Sequence, residues 1–329
     1  MHGDSIKKCN PQAQRARDSL SLHARRRLSL NGGVGLPLCG YSASQFFIGH
    51  LAMSTRPALT LKTATTSDGT RIVYARSAPS QPAKGRLALL HSLAMDHTFW
   101  KPVIGALPAN LDVIAIDARG HGRSDKPQGP YSVELFADDL QAVFAHAGWP
   151  SAALAGASMG GSIALSFAAR HAALVEGLAL IDTTACYGEG AIVAWEERGQ
   201  KALDGGMVAL TGFQEQRWFS DAFRQANPDD VAESIAVFLQ NDPLPYMETC
   251  RMLGTCDTRD ALPAFDFPVA IVVGEEDYAT PVSMAQAMHT SIPGATLQVI
   301  DKARHYTPIE VPGIIANAIN EVLNRAQPC

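Results

Sequence analysis

The stretch from Ser151 to Phe167, which reads SAALAGASMGGSIALSF, constrains the fold of this chain more than any other segment. An apolar run precedes the motif GASMG (residues 156–160), and a helical pattern follows it. Glycines at a helix start are unfavourable, because each costs about 1 kcal/mol relative to alanine. A Gly-x-Ser-x-Gly motif between a strand and a helix is typical of a sharp turn that exposes a nucleophilic serine. Ser158 is therefore the first candidate catalytic residue.

Short apolar runs alternate with amphipathic stretches from residue 59 onward, which predicts an α/β fold with a mostly parallel central sheet and helices on both faces. A Pro/Gly/Ser-rich turn at residues 78–85 separates the first two runs, so we expect them to form an antiparallel hairpin. The expected strands are Arg71–Arg76, Leu87–His91, Val113–Asp117, Ala152–Ala155, Gly177–Asp182, Val269–Val273 and Thr296–Ile300.

The alternation stops between residues 186 and 262, where the pattern is helical and rich in aromatic residues. A helical insert in an α/β chain predicts a cap over one end of the sheet. We therefore expect a core formed by residues 54–185 and 263–329, a helical cap at 186–262, and a separate basic arm at 1–53.

The arm carries seven Lys/Arg residues against Asp4 and Asp18, a net charge of about +5, so with a total of −5 the rest of the chain carries about −10. An acidic body does not fit nucleic acid as a partner. Three consecutive arginines at 25–27 resemble a twin-arginine export signal, but polar residues interrupt the stretch that follows. The arm is either disordered, or an upstream misassignment with Met53 as the true start, or a targeting segment.

Composition indicates a globular protein without a membrane span, since no run approaches eighteen apolar residues. The cysteines show no CxxC pair and no grouping with histidine, which favours free thiols in a reducing compartment. We therefore expect a cytoplasmic protein, or a periplasmic one if the arm is an export signal. The sequence does not indicate an oligomeric state.

A serine nucleophile needs a histidine base and an orienting carboxylate, which follow it in the chain in sheets of this kind. His305 follows the strand that ends at Ile300, so it is carried to the carboxyl end of the sheet. His171 and His289 fall on or beside helices and are expected at the surface.

The acid should follow the preceding strand, where Asp277 stands before a Thr-Pro helix start and is the favoured candidate. Glu275 and Glu276 compete with it, but they are expected to be solvated. Ser158, Asp277 and His305 are thus the predicted triad.

An oxyanion hole needs two backbone N–H groups, one of them from the residue after the nucleophile. Met159 supplies the first, and Leu93 in the loop after the strand 87–91 is the best second candidate, with Ser92 beside it. His121 lies between two glycines and is interpreted as part of a structural turn. No metal-ligand spacing, phosphate loop or dinucleotide motif is found, so we expect hydrolysis without metal or cofactor.

These residues resemble the α/β-hydrolase fold superfamily over nearly all of 59–325, and within it the 3-oxoadipate enol-lactonases. The residues that carry the resemblance in the core are His91-Ser92-Leu93 with Trp100, DARGHGRSD at 117–125, GPYS at 129–132, and SMGG at 158–161. Those in the cap are Trp195-x-x-Arg198, QRWF at 216–219, Phe223, Tyr246-x-x-x-Cys250 and Asp257-x-Arg259. Ala94 and Ala157 stand where that family is expected to carry glycine and leucine, and Tyr306 after His305 is unusual.

The resemblance implies a serine hydrolase that cleaves a small, carboxylate-bearing ester or lactone, most like 3-oxoadipate enol-lactone in aromatic breakdown. Arg198, and after it Arg217, are the candidates for binding the substrate carboxylate, while Trp195 and Trp218 would line an apolar wall. A general carboxylesterase, a carbon–carbon bond hydrolase and a cofactor-free perhydrolase would use the same triad. A hydrolase-fold protein that only binds a ligand is the alternative that is not an enzyme.

Overall fold

The computed structural model describes residues 56–326, so the expected arm at 1–53 lies outside the described residues. The described part contains an eight-stranded sheet in the order β1-β2-β4-β3-β5-β6-β7-β8. The strands are β1 (Thr60–Thr65), β2 (Arg71–Ser77), β3 (Gly85–Leu90), β4 (Leu111–Ile116), β5 (Ala152–Ala157), β6 (Val175–Ile181), β7 (Val269–Gly274) and β8 (Thr296–Ile300). Strands β3 to β8 run parallel, and only the pairs β1–β2 and β2–β4 are antiparallel.

The expected hairpin between the first two predicted strands is wrong. Strand β2 pairs with β1 and β4, whereas β3 inserts in parallel between β4 and β5. The partner strand β1 was missed because only Ala64 of its six residues is buried, so it has no apolar alternation. The prediction of a mostly parallel α/β sheet is confirmed.

The helices are α1 (Lys101–Ala106), α2 (Val133–Ala147), α3 (Met159–Arg170), α4 (Ala191–Gly205), α5 (Gln214–Trp218), α6 (Asp221–Ala226), α7 (Pro228–Leu239), α8 (Pro243–Thr255), α9 (Val282–Ser291), α10 (Thr307–Glu310) and α11 (Pro312–Arg325). Every residue of β4, β5 and β7 is buried, so the middle of the sheet is covered on both faces. This covering explains why those strands read as continuous apolar runs instead of alternating ones.

A helical segment, which we call the cap, lies between β6 and β7 and holds α4 to α8. Its chain enters and leaves at one place, because Cys186 pairs with Asp257 in an isolated antiparallel bridge. Helices α4 and α8 pack against each other, and Gly199 permits the contact: a Cβ there would lie 2.1 Å from the sulfur of Met247. None of the helices within residues 56–326 is both long and apolar enough to cross a membrane.

Candidate active site

Ser158 occupies a strained turn between β5 and α3. Its φ of +52° lies in the region that side chains other than glycine rarely adopt. A Cβ on Gly156 would lie 2.3 Å from the carbonyl oxygen of Gly160, and a Cβ on Gly160 would lie 2.1 Å from that of Leu90. Only glycine fits at either position, because such distances are far below van der Waals contact. The two glycines therefore mark a tight turn that holds one serine, not a loose loop.

The three predicted triad residues form a row of hydrogen-bond contacts with His305 in the middle. The Oγ of Ser158 is 2.9 Å from Nε2 of His305, and Nδ1 of His305 is 2.8 Å from Oδ2 of Asp277. Asp277 also accepts hydrogen bonds from the backbone N–H and the hydroxyl of Thr280. An ionised carboxylate can only accept a hydrogen bond, so it keeps a proton on Nδ1, which leaves Nε2 free to accept the proton of the serine.

The electrostatic surroundings of His305 favour its role as a base. Burial acts to lower the pKa of His305, but the charge and hydrogen bond of Asp277 outweigh it, so the pKa lies above its ordinary value. The charge of Asp182 acts in the same direction, whereas that of Arg198 opposes it. A raised pKa means that the imidazole holds an abstracted proton more firmly.

The competing candidates contact other groups. Glu275 accepts a hydrogen bond from the backbone N–H of Lys302 at 3.0 Å, and Glu276 pairs with Arg304 at 3.1 Å. His289 is exposed on α9, and the ring of His171 packs on Phe167 at the end of α3.

The predicted oxyanion donors are Leu93, in the loop after β3, and Met159, the first residue of α3 after the turn that follows β5. Leu90 at the end of β3 is in register with Gly156 of β5, so both loops leave the same edge of the sheet. Neither N–H donates to a protein acceptor within residues 56–326. Two free N–H groups beside a nucleophile are the arrangement that stabilises an oxyanion.

His91 fixes the orientation of the peptide that carries the Leu93 N–H. Its Nδ1 lies 2.8 Å from the carbonyl oxygen of Ser92, and its Nε2 accepts a hydrogen bond from Ala118. In a planar trans peptide the C=O and the N–H point in opposite directions. The Leu93 N–H therefore points away from His91.

His121 belongs to a tight turn, as its flanking glycines predict. Its Nδ1 lies 2.9 Å from the carbonyl oxygen of Arg119, and its ring centroid is 5.2 Å from that of His91. Burial lowers the pKa of His121 to about 3, so the ring is neutral at ordinary pH.

The two candidate cap arginines have different environments. The Nε of Arg198 donates to the hydroxyl of Tyr246 at 2.6 Å, and its guanidinium lies 5.5 Å from the centre of the Trp195 ring. No carboxylate within the described residues pairs with it. Arg217 is exposed and lies 4.6 Å from the centre of the Phe213 ring. Of these two arginines, Arg198 is the one whose charge is among the main influences on the pKa of His305.

The two candidate wall residues, Trp218 and Trp195, also differ in burial and in the rings that they contact. Trp218 is buried and stacks on Tyr306, with ring centroids 4.6 Å apart and planes 11° from parallel. Trp195 is half-buried and meets Tyr187 edge-on at 5.2 Å. Burial raises the pKa of Tyr306 above its ordinary value, and the buried Ser92 side chain partly offsets that rise. Tyr306 thus links Trp218 of the cap to the loop of the predicted oxyanion hole.

Sequence reasoning missed two residues beside the triad. Asp182 is fully buried; Oδ1 accepts from the N–H of Gly274, and Oδ2 from the N–H and hydroxyl of Thr307. It thereby joins the end of β7 to the segment after His305, and burial, then the charge of Asp277, raises its pKa. Its place just after β6 was a signal that could have found it.

Tyr187 is the second missed residue. Burial raises the pKa of its phenol, and the hydroxyls of Ser158 and Ser162 offset part of that rise, which places it beside the nucleophile. No sequence pattern around it indicated this position.

One group in the described part of the chain has donor atoms close enough for a metal ion, namely Asp96, His97 and Asp117. Hydrogen bonds account for its geometry. Asp117 accepts from both the backbone and Nδ1 of His97 and from the N–H of Arg123, while Asp96 caps Thr98. We therefore interpret the group as bracing the loop after β4.

Comparison with known proteins gives consistent similarities. A family model described as alpha/beta hydrolase fold matches residues 85–312. The chain is 28% identical over 245 residues to 3-oxoadipate enol-lactonase 2 of Acinetobacter baylyi. The matched region covers 74% of this chain and 91% of that protein.

Solved structures show the same similarity in three dimensions. The enol-lactonase from Burkholderia xenovorans LB400 superposes with a TM-score of 0.76 at 28% identity, covering 80% of this chain and 100% of that one. A thermophilic esterase from Thermogutta terrifontis, with malate bound, superposes with a TM-score of 0.75 at 26% identity, covering 82% and 100%.

Proposed function

The chain belongs to the α/β hydrolase fold family, and we propose that it hydrolyses carboxylic esters through Ser158, His305 and Asp277. The observation that carries the proposal is the continuous line of hydrogen bonds from the serine, held at φ +52°, through the histidine to the buried carboxylate. Strain at a residue of this kind indicates function when the surroundings enforce it, as Gly156 and Gly160 do here.

In the proposed reaction, Oγ of Ser158 attacks the carbonyl carbon while Nε2 of His305 takes its proton. Asp277 holds the imidazolium, and the N–H groups of Leu93 and Met159 bind the oxyanion. The tetrahedral intermediate collapses, the carbon–oxygen bond of the leaving group breaks, and His305 returns the proton to that oxygen. Water, activated by His305, then hydrolyses the acyl-enzyme.

We propose a carboxylate-bearing enol-lactone of the 3-oxoadipate type as the substrate, as formed in aromatic breakdown. Ring opening leaves the enol tethered to the acyl chain, and the enol becomes a ketone, which makes its departure easier than that of an alkoxide. The identity to the Acinetobacter baylyi and Burkholderia xenovorans enol-lactonases supports this choice.

Arg198 is the proposed partner of the substrate carboxylate. Its side chain is half-buried and donates a hydrogen bond to the neutral hydroxyl of Tyr246. Its positive charge acts to lower the pKa of His305. A guanidinium that has spare donors and no acidic partner suits a carboxylate. Trp195 and Trp218 would form the apolar wall beside it.

The test compares the muconolactone-derived enol-lactone with p-nitrophenyl acetate and butyrate as substrates of the full chain. We expect a higher kcat/KM for the enol-lactone and no turnover of any substrate by Ser158→Ala. Turnover of the esters alone would exclude the lactonase, and activity that survives Ser158→Ala would exclude the mechanism.

A general carboxylesterase is the second candidate, because the chain is also similar to the Thermogutta terrifontis esterase. The two candidates differ in their need for a cation. Arg198→Met would impair a lactonase that binds a carboxylate but would leave neutral p-nitrophenyl esters almost unaffected.

A further inference from the structure

The loop that carries the Leu93 N–H contains a strained residue. Met95 donates its N–H to the carbonyl oxygen of Ser92 at 3.1 Å, which closes a reverse turn with Ala94 as its third residue. Ala94 has a φ of +61°, a conformation that this position of a type II turn requires and that glycine normally supplies. An alanine disfavours the conformation roughly tenfold, because its Cβ approaches the following carbonyl oxygen.

The cap provides the contact that holds this turn. The Nδ2 of Asn241, in the connection between α7 and α8, donates to the carbonyl oxygen of Ala94 at 2.8 Å. The same amide donates to the carbonyl oxygens of Val237 and Phe238 at 3.1 and 3.0 Å, so it is fixed on the last turn of α7. Ala94 is fully buried, and no other donor in the part of the chain that is described reaches its carbonyl.

We propose that Asn241 is a positioning residue, which holds Ala94 in its left-handed conformation and thereby keeps the Leu93 N–H directed at the oxyanion. The inference rests on the proposed function, because it needs an oxyanion to form beside Ser158. If Ala94 relaxes to a negative φ, the turn opens and Ser92 loses the hydrogen bond from Met95. Among the described residues, His91 alone then restrains the peptide that carries the Leu93 N–H.

This role differs from that of a structural cap residue. Asn241 forms no hydrogen bond to a reacting group in the described structure, yet its hydrogen bond to Ala94 spans 147 positions in sequence, from the cap to the oxyanion loop. The cap would then affect the rate of the chemical step, and not only the binding of substrate.

The first experiment measures kcat and KM of Asn241→Ala with whichever ester or enol-lactone the full wild-type chain hydrolyses. We expect kcat to fall about 5- to 20-fold, less than the 10²–10³-fold loss of an oxyanion donor itself, with KM within about twofold. Asn227→Ala is the matched control, because Asn227 donates to the carbonyl oxygen of Phe223 within the cap at 3.3 Å. This control should retain the wild-type kcat.

The second experiment asks whether glycine at position 94 makes Asn241 unnecessary. Glycine adopts a positive φ without a steric penalty, so Ala94→Gly combined with Asn241→Ala should recover most of the lost kcat. Amide hydrogen exchange in the peptide 91–96 should be faster in Asn241→Ala than in Asn227→Ala or the wild type.

The outcomes separate the two proposals. A wild-type kcat in Asn241→Ala, an equal loss in Asn227→Ala, or a loss that Ala94→Gly does not recover would overturn the positioning role while hydrolysis by Ser158 stands. A wild-type chain that hydrolyses neither ester nor lactone would overturn the proposed function, and this inference with it.

Discussion

The edge of the sheet and the cap build the candidate site in different ways. At the edge, Ser158, Asp277 and His305 each follow a strand, β5, β7 and β8, so the register of a parallel sheet brings them together. In the cap, Arg198 and Trp218 lie on separate helices, and packing between helices decides which side chain faces inward. The loops that follow parallel strands can be identified from the sequence, but the side of a cap helix that faces the site cannot.

The cap arginines illustrate the difference. Arg198 precedes Gly199, whose missing side chain lets α4 approach α8 and brings Arg198 to Tyr246. Arg217 lies on the short helix α5 and remains exposed. Both fit the same resemblance, yet Arg198 is the one whose charge is among the main influences on the pKa of His305.

The strongest test of the sheet edge is Ser158→Ala, which should lower kcat about 10⁴- to 10⁶-fold because the nucleophile is lost. Ser162→Ala is the matched control, since Ser162 is a buried serine in the first turn of α3, just after Ser158, and donates to the carbonyl oxygen of Thr184 at 3.2 Å. Steady-state kinetics with p-nitrophenyl acetate measures both variants. Equal losses in the two would contradict a specific role for Ser158.

The corresponding test of the cap is Arg198→Met, which should lower kcat/KM for the enol-lactone about 10- to 100-fold through loss of a charged hydrogen bond. Lys201→Met, an exposed cation one turn later on α4, serves as the control. The ratio of enol-lactone to neutral ester turnover gives the readout. A larger loss with Arg217→Met would reverse the distinction between the two arginines.

Asp182→Asn should move the acid limb of the kcat/KM profile to lower pH, by about half a unit to one unit. The charge of Asp182 helps to raise the pKa of His305, and His305 must be unprotonated to act as the base. Removing the charge lowers that pKa, so activity persists at lower pH. Asp139→Asn is the control, because Asp139 is a buried partner of Arg119. An unmoved limb in Asp182→Asn would count against the electrostatic role.

The smallest effect is expected for the ion pair between Lys101 of the core and Glu233 of the cap, 3.1 Å apart. Both side chains are more than half exposed, at 56% and 60%, so solvent screens the pair. Lys101→Met should change the free energy of unfolding by less than about 0.5 kcal/mol in urea titration. A loss above about 2 kcal/mol in the free energy of unfolding would show that this ion pair contributes more than the Trp218–Tyr306 stack to the contact between core and cap.

The sequence predicts those parts of the site that depend on neighbouring residues along the chain. The steric requirement at Gly156 and Gly160 marked the serine, and the position of His305 after a strand marked the base. The sequence could not reveal that the Ala94 carbonyl meets Asn241, because nothing local relates residues so far apart. Strand β1 has no apolar alternation because five of its six residues are exposed, and the apolar run before Asp182 predicts a strand that includes it, whereas β6 ends at Ile181.

The bridge between Cys186 and Asp257 has a consequence for how such a chain can diversify. The N–H of Thr258 also donates to the carbonyl oxygen of Ala185 at 2.9 Å. Backbone hydrogen bonds therefore join the two ends of the insert beside the sheet. Strands β6 and β7 pair directly and do not depend on what lies between these ends. The insert can therefore be exchanged at a single junction: a helical segment from another hydrolase, grafted between positions 186 and 257, would present a new specificity surface. Such a segment would also have to supply its own donor to the carbonyl oxygen of Ala94, which Asn241 supplies here.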